Sequence, residues 1–162
     1  MSSQVQLHSD LRCQGLYDPP SPCIHWISGN VSPLDLSASA TNPPSRQITI
    51  TVDNPGLEFW MGHWGPIHVS AATGLAYAFL SIEDILGDIY EYFQTPLTPN
   101  DLACIPPGRW RGMLEEAKRM RLKASRVIHE GGYVRADLLN GNTRFAGLRW
   151  ARNHRLVLVT SC

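Results

Sequence analysis

"LEFWMGHWGPIHVS", Leu57 to Ser70, packs two tryptophans, a phenylalanine and two histidines into fourteen residues. How it folds decides the shape of the first half of the chain. The stretch before it, "RQITITVDNPG", reads as a strand, because Ile48, Ile50 and Val52 alternate with Thr49 and Thr51. Asp53-Asn54-Pro55-Gly56 ends it with turn chemistry. "LEFWMGHW" is then expected as a second strand and "PIHVSA" as a third. On a strand, Glu58, Trp60, Gly62 and Trp64 share one face, and Phe59, Met61 and His63 the other. Gly62 would leave a gap between two indoles, where a flat ligand or another backbone fits. The competing expectation is that Trp60 and Trp64 pack under a helix or the N-terminal arm, since burial is the commoner fate of tryptophan.

Further along, Ser81 is expected to cap a helix, with Asp84 at the reciprocal position. Ile82, Ile85, Leu86, Ile89 and Phe93 fall on one stripe, which marks the core face. Thr98, Pro99 and Asp101 can start one short further turn. "PPGRWRGMLEEAKRMRLKASRVI" reads as a second long helix with Trp110, Met113, Leu114, Ala117, Met120 and Ala124 as its apolar stripe and a Glu115–Arg119 pair on its surface. "YVRADLL-NGN-TRFAGLRW" carries the pattern of a β-hairpin around Asn140-Gly141. A two-residue loop sets Asp137 against Arg144. A three-residue loop sets Val134 against Leu148 and Ala136 against Ala146, and the two registers stay open. "RLVLVT" is apolar on both faces, as a strand buried on both sides would be.

These elements argue for a single α+β domain: an antiparallel sheet with two main helices packed on one face. Seven of the twelve prolines lie in the first fifty-five residues. Residues 1–45 are therefore expected as a Pro-rich arm draped on or preceding a core of 46–162, with "CIHWISG" a short strand within it. The N-terminus lacks a basic start followed by an apolar run, and "GLAYAFL" is too short to cross a bilayer, so a cytoplasmic protein without membrane contact is expected. Cys13, Cys23, Cys104 and Cys162 are scattered and show no C-x-x-C spacing, which suits free thiols. Net charge is zero but unevenly spread. Residues 1–108 hold two basic and ten acidic residues, and residues 109–162 hold twelve basic and four acidic. Mutual neutralisation of the two halves on folding is favoured over a nucleic-acid face.

With the elements placed, the chain resembles a family of small proteins from mushroom-forming fungi, domain of unknown function 6699, from about His25 to Val159. The similarity rests on "ITITV" before "HWGPIHV", on "LSIEDILGDIYEYF", and above all on "YVRADLLNGNTRFAGL", which looks like the family's Arg-x-Asp-Leu-Leu segment closing in Phe-x-Gly-Leu. The chain departs from the pattern at "HWGPIHVSAATGLAYAF", which is longer than usual. The resemblance supports the fold and implies no activity.

Candidate chemistry is sparse. His63 and His68 are five apart, so they point away from each other on a strand or a helix, and no metal is expected. No nucleophile elbow, phosphate loop or dinucleotide turn is present, and no cofactor is expected. Trp60, His63, Trp64, His68 and Tyr133 are candidate pocket residues. Tyr133, Arg135 and Asp137, alternating on one strand face, are the best candidate polar wall, with Arg135 to orient a carboxylate or enolate and Asp137 as base. His129 in "HEGG" is a further acid–base candidate, although that stretch also suits a helix end. Three functions follow. The first is a binding module for a small molecule or a protein partner. The second is a small cofactor-independent enzyme (isomerase, cyclase or hydrolase) acting on a fungal metabolite. The third, ranked last, is a nucleic-acid binder using Arg109, Trp110, Arg111, Lys118, Arg119 and Arg121 of a basic 109–126 helix.

Overall fold

The computed structural model describes residues 6–7, 37–52, 54–71, 79–124, 131–139, 144–151 and 155–161. The expected strand in "CIHWISG", the Asn140–Asn142 turn, His129, and Cys13, Cys23 and Cys162 lie outside them. A small two-stranded ladder joins β1 (Gln6–Leu7) to β2 (Thr41–Asn42) in antiparallel register. Leu7, Ala40 and Thr41 are buried, so these parts of the Pro-rich segment belong to the core.

The Ile-Thr alternation folds as β3 (Gln47–Val52), the strand that organises the main sheet. After it come α1 (Glu58–Trp64), β4 (Ile67–Ser70), α2 (Ile82–Gln94), α3 (Pro99–Cys104), α4 (Arg109–Ala124), β5 (Arg144–Trp150) and β6 (Leu156–Ser161). The sheet order is β4-β3-β6-β5. β3 pairs antiparallel with β4, opposing Ile48 to Val69 and Ile50 to Ile67. It pairs parallel with β6, opposing Ile50 to Leu156 and Val52 to Leu158. That parallel pair makes the sheet mixed, and it requires the long helical crossover that the intervening residues provide. The registers place Ile48, Ile50, Val52, Ile67, Val69, Leu156 and Leu158 on one face. α2 packs there with its expected stripe, Ile82, Ile85, Leu86, Ile89 and Phe93, all buried. Thr49, His68 and Ser70 are exposed on the other face. β6 is central, with Leu156, Val157 and Leu158 all buried, as its two-sided apolar pattern requires. The expected capping box of α2 forms: Ser81 Oγ accepts from Asp84 N–H and Asp84 Oδ2 from Ser81 N–H.

Three expectations are corrected. First, Leu57–Trp64 is not a strand. A 3₁₀ turn over Pro55–Leu57, capped by Asn54 Oδ1 on Gly56 N–H, leads directly into α1. Over eight residues the apolar pattern fits both periods. The helical one wins because it places Leu57, Trp60, Met61 and Trp64 together on the core side and leaves Glu58, Phe59, Gly62 and His63 exposed. Gly62 therefore does not separate the two indoles, and a side chain there would meet nothing within 4 Å.

Second, Tyr133–Leu139 is not a hairpin strand. Arg135–Leu139 is a 3₁₀ turn, and β5 pairs with β6 instead, Leu148 opposite Leu158 and Phe145 opposite Thr160. Neither expected hairpin register forms. The register of β5 shifts between Phe145 and Gly147, where Gly147 takes a φ of 130° that side-chain-bearing residues avoid.

Third, the stripe of α4 is rotated. Trp110 (54% exposed) and Met120 (52%) face solvent, while Arg121 is buried with Leu114. The fold-facing line runs through Leu114, Ala117 and Arg121, at i, i+3 and i+7. Arg119 pairs with Glu116 rather than Glu115, whose carboxylate instead accepts from Tyr133 Oη.

Candidate ligand-binding site

Trp60 and Trp64 lie one turn apart on α1, and their rings stack with centroids 4.9 Å apart at 24°. Trp60 is buried, so it forms a floor behind Trp64, which is half-buried. α2 contributes Tyr92, whose ring stands at 76° to that of Trp64 with centroids 6.5 Å apart. Its hydroxyl donates to Gly65 O at 2.7 Å, tying α2 to the left-handed residue that ends α1. Burial raises the Tyr92 pKa, opposed by the nearby Arg135 charge.

Arg135 fills the corner between these rings. Its Cζ is 4.7 Å from the Trp64 centroid and 4.5 Å from the Tyr92 centroid. Backbone bonds set this position: Arg135 N–H donates to Thr95 O at 3.0 Å, and Leu97 N–H to Tyr133 O at 2.8 Å. The 3₁₀ turn is locked by Asp137. Its Oδ2 accepts from Val134 N–H (3.0 Å) and Arg121 Nη2 (3.0 Å), and its Oδ1 from Arg121 Nε (2.8 Å). Arg121 also donates to Gly132 O. The two side chains are 6% and 1% exposed.

On the far edge of Trp64, α3 supplies Asp101, 4% exposed. Its Oδ1 accepts from Trp64 Nε1 at 2.9 Å and lies 3.2 Å from His63 Nε2. Its Oδ2 accepts from Thr98 N and Thr98 Oγ1, both at 2.7 Å. Burial alone would raise the Asp101 pKa. The hydrogen bonds from Trp64 and Thr98, with the proximity of His63, outweigh it and hold the carboxyl below its ordinary 3.8.

The chain belongs to a family of unknown function (DUF6699), which matches residues 8–156. No curated protein and no solved structure matches it. In this family member, the Arg-x-Asp-Leu-Leu segment serves three structural ends. Arg135 enters the aromatic corner, Asp137 closes the turn, and Leu139 anchors it in the core.

Of the residues singled out in the sequence, Trp60, His63, Trp64 and Arg135 converge here. Asp137 does not share a face with Arg135. Both its oxygens are engaged in holding the turn, and the side chain is almost fully enclosed, so it is not presented to a ligand. Tyr133 bonds Glu115 and lies under Lys118 Nζ, 4.6 Å from its ring. His68 faces Thr49 Oγ1 on the exposed side of the sheet. Tyr92 and Asp101 were missed. Tyr92 falls beside the apolar stripe of α2, and Asp101 reads as a cap, which it also is. Among the described residues no group of three potential metal ligands assembles, and Cys104 is a free, exposed thiol. Of the five α4 cations considered for nucleic acid, Arg121, Arg119 and Lys118 are engaged by Asp137, Glu116 and the Tyr133 ring. A separate open groove of about 740 Å³ runs between β3 and α1, with Thr49, Thr51, Met61, Gly62 and Trp150 on its walls.

The Asp101 arrangement carries a pH signature. A carboxyl with a depressed folded pKa contributes stability that is present above 3.8 and is lost as pH falls through the folded value. Asp101→Asn is expected to be less stable than the wild type at about pH 7, and the gap between the two urea midpoints should narrow as pH falls below 3.8. A gap that stays constant from neutral into acid pH would remove Asp101 from the acid transition.

Proposed function

We propose that this protein is a small binding module whose ligand sits against Trp64 and Tyr92 beside Arg135. One observation carries the reading: a half-buried indole, backed by a buried indole, meets a second ring at 76° around a guanidinium. Trp60 and the guanidinium already cover the Trp64 ring, so the corner offers a ligand apolar ring edges beside a fixed polar group, a mixture that small-molecule sites use. No helix among the described residues is long and apolar enough to cross a membrane. A metabolite or partner of a mushroom-forming fungus fits the sequence resemblance, and a cytoplasmic setting is part of the same proposal. The second reading, a cofactor-independent enzyme, is favoured only by His63, whose Nε2 lies 3.2 Å from the buried Asp101 carboxylate.

The test is an NMR screen of flat aromatic compounds, neutral and charged, against ¹⁵N-labelled protein, with the Trp64 indole signal assigned from Trp64→Phe. Binders are expected to move the Trp64 indole and Arg135 Nε–H signals together and to leave the exposed Trp110 unmoved. A screen in which no compound moves Trp64, or in which binders move Trp110 alone, defeats the proposal. New product signals from a bound compound would favour the enzyme.

A further inference from the structure

The Arg135 corner has a feature that its aromatic walls do not explain. A guanidinium carries five N–H donors and no acceptor. Among the described residues none of those donors meets a carboxylate, carbonyl or hydroxyl, although Arg135 is half-buried and its backbone is fixed. Arg121, fourteen residues earlier, shows the contrast: it donates to both oxygens of Asp137 and to Gly132 O. The Trp64 and Tyr92 rings are close to perpendicular. When the guanidinium plane lies flat on one, the other meets it edge-on. Arg135 keeps part of its surface exposed, and there a ligand can reach it.

Resting on the proposed binding site, we infer that its ligand presents a carboxylate to Arg135. The planar fork accepts a carboxylate through two parallel N–H···O bonds, and ring stacking holds the fork in place before the ligand arrives. Charge favours a monoanion over a phosphate dianion. Arg135 is the only cation stacked on these two rings among the described residues. The one anion bonded to the Trp64 ring, Asp101, is already answered by Trp64 Nε1, Thr98 N, Thr98 Oγ1 and His63. The rings on either side suit a carboxylate attached to a flat or apolar body.

Benzoate, benzamide and phenyl phosphate are the probes, titrated at constant ionic strength into the wild type, Arg135→Met, Arg135→Lys and Arg109→Met. Chemical shifts at the Trp64 indole and a melting temperature are followed for each protein. Benzoate is expected to bind more tightly than the other two. Arg135→Met, which keeps a side chain between the rings, should weaken it roughly tenfold to a hundredfold, with only a small drop in melting temperature from the two lost cation–π contacts. Arg135→Lys should recover only part of the loss, because the ammonium keeps the charge and lacks the fork. Arg109→Met, an equal charge loss on the exposed start of α4, should have no effect. Benzamide binding as tightly as benzoate, and surviving Arg135→Met, overturns the carboxylate and leaves the binding site standing. Preference for phenyl phosphate does the same. If no probe moves Trp64 in any of the four proteins, the site and the inference fall together.

Discussion

Arg121→Met is expected to destabilise the protein by about 3–5 kcal/mol, because it leaves the Asp137 carboxylate buried without its counter-charge. Both side chains are almost fully enclosed, and the pair is bidentate. The side-chain volume is roughly kept, so the loss reports electrostatics more than packing. Replacing both partners, Arg121→Met with Asp137→Leu, should recover part of it, as paired removal of buried charges often does. Recovery should stop about 1–3 kcal/mol short, because Val134 N–H loses its acceptor and the 3₁₀ turn its closure. Urea denaturation of the three proteins measures this. A single variant within about 0.5 kcal/mol of the wild type would mean that the pair is solvated and does not hold the turn.

Trp60→Ala is expected to cost about 3–5 kcal/mol, the range for emptying a buried aromatic site. Trp60 is 7% exposed, stacked on Trp64 and part of the core cluster. Its neighbours on α1 provide internal controls. Phe59, 60% exposed, should tolerate alanine within about 0.5 kcal/mol. Gly62→Ala should gain up to about 1 kcal/mol, since a methyl group there meets nothing and glycine weakens a helix interior. A strand would reverse this ranking at Gly62, where the new side chain would press between the indoles. Equal losses at Trp60 and Phe59 would contradict the helix face assigned here.

Legibility followed the length and strength of each periodic signal. β3 could be read because five consecutive β-branched residues alternate, and α2 because thirteen residues carry a capping box and an unbroken stripe. α1 has seven residues, barely two turns, and its pattern suits a strand as well. The Asn54-Pro55 pair that starts the 3₁₀ turn leading into it, side-chain acceptor followed by proline at the first position, is also turn chemistry. On α4 the misreading came from hydrophobicity itself. Met120 looked like core and Arg121 like surface, yet a buried arginine is stable wherever a carboxylate and a carbonyl enclose it.

The candidate site divides along the same line. Local sequence determined its parts: the one-turn spacing of Trp60 and Trp64, the Thr98–Asp101 cap, and the Arg-x-Asp spacing of Arg135 and Asp137. Tertiary structure alone decided which parts meet. Trp64 reaches Asp101 across 37 residues, and Arg135 reaches Trp64 across 71 and Tyr92 across 43. Residues so distant in sequence leave no joint pattern in it, because their approach depends on how α1, α2, α3 and the Arg135–Leu139 turn pack. Asp137 makes the point most sharply. On an isolated strand it would share a face with Arg135. Three buried hydrogen bonds, two of them from a helix that begins 28 residues earlier, fold it inward and leave Arg135 in the corner alone.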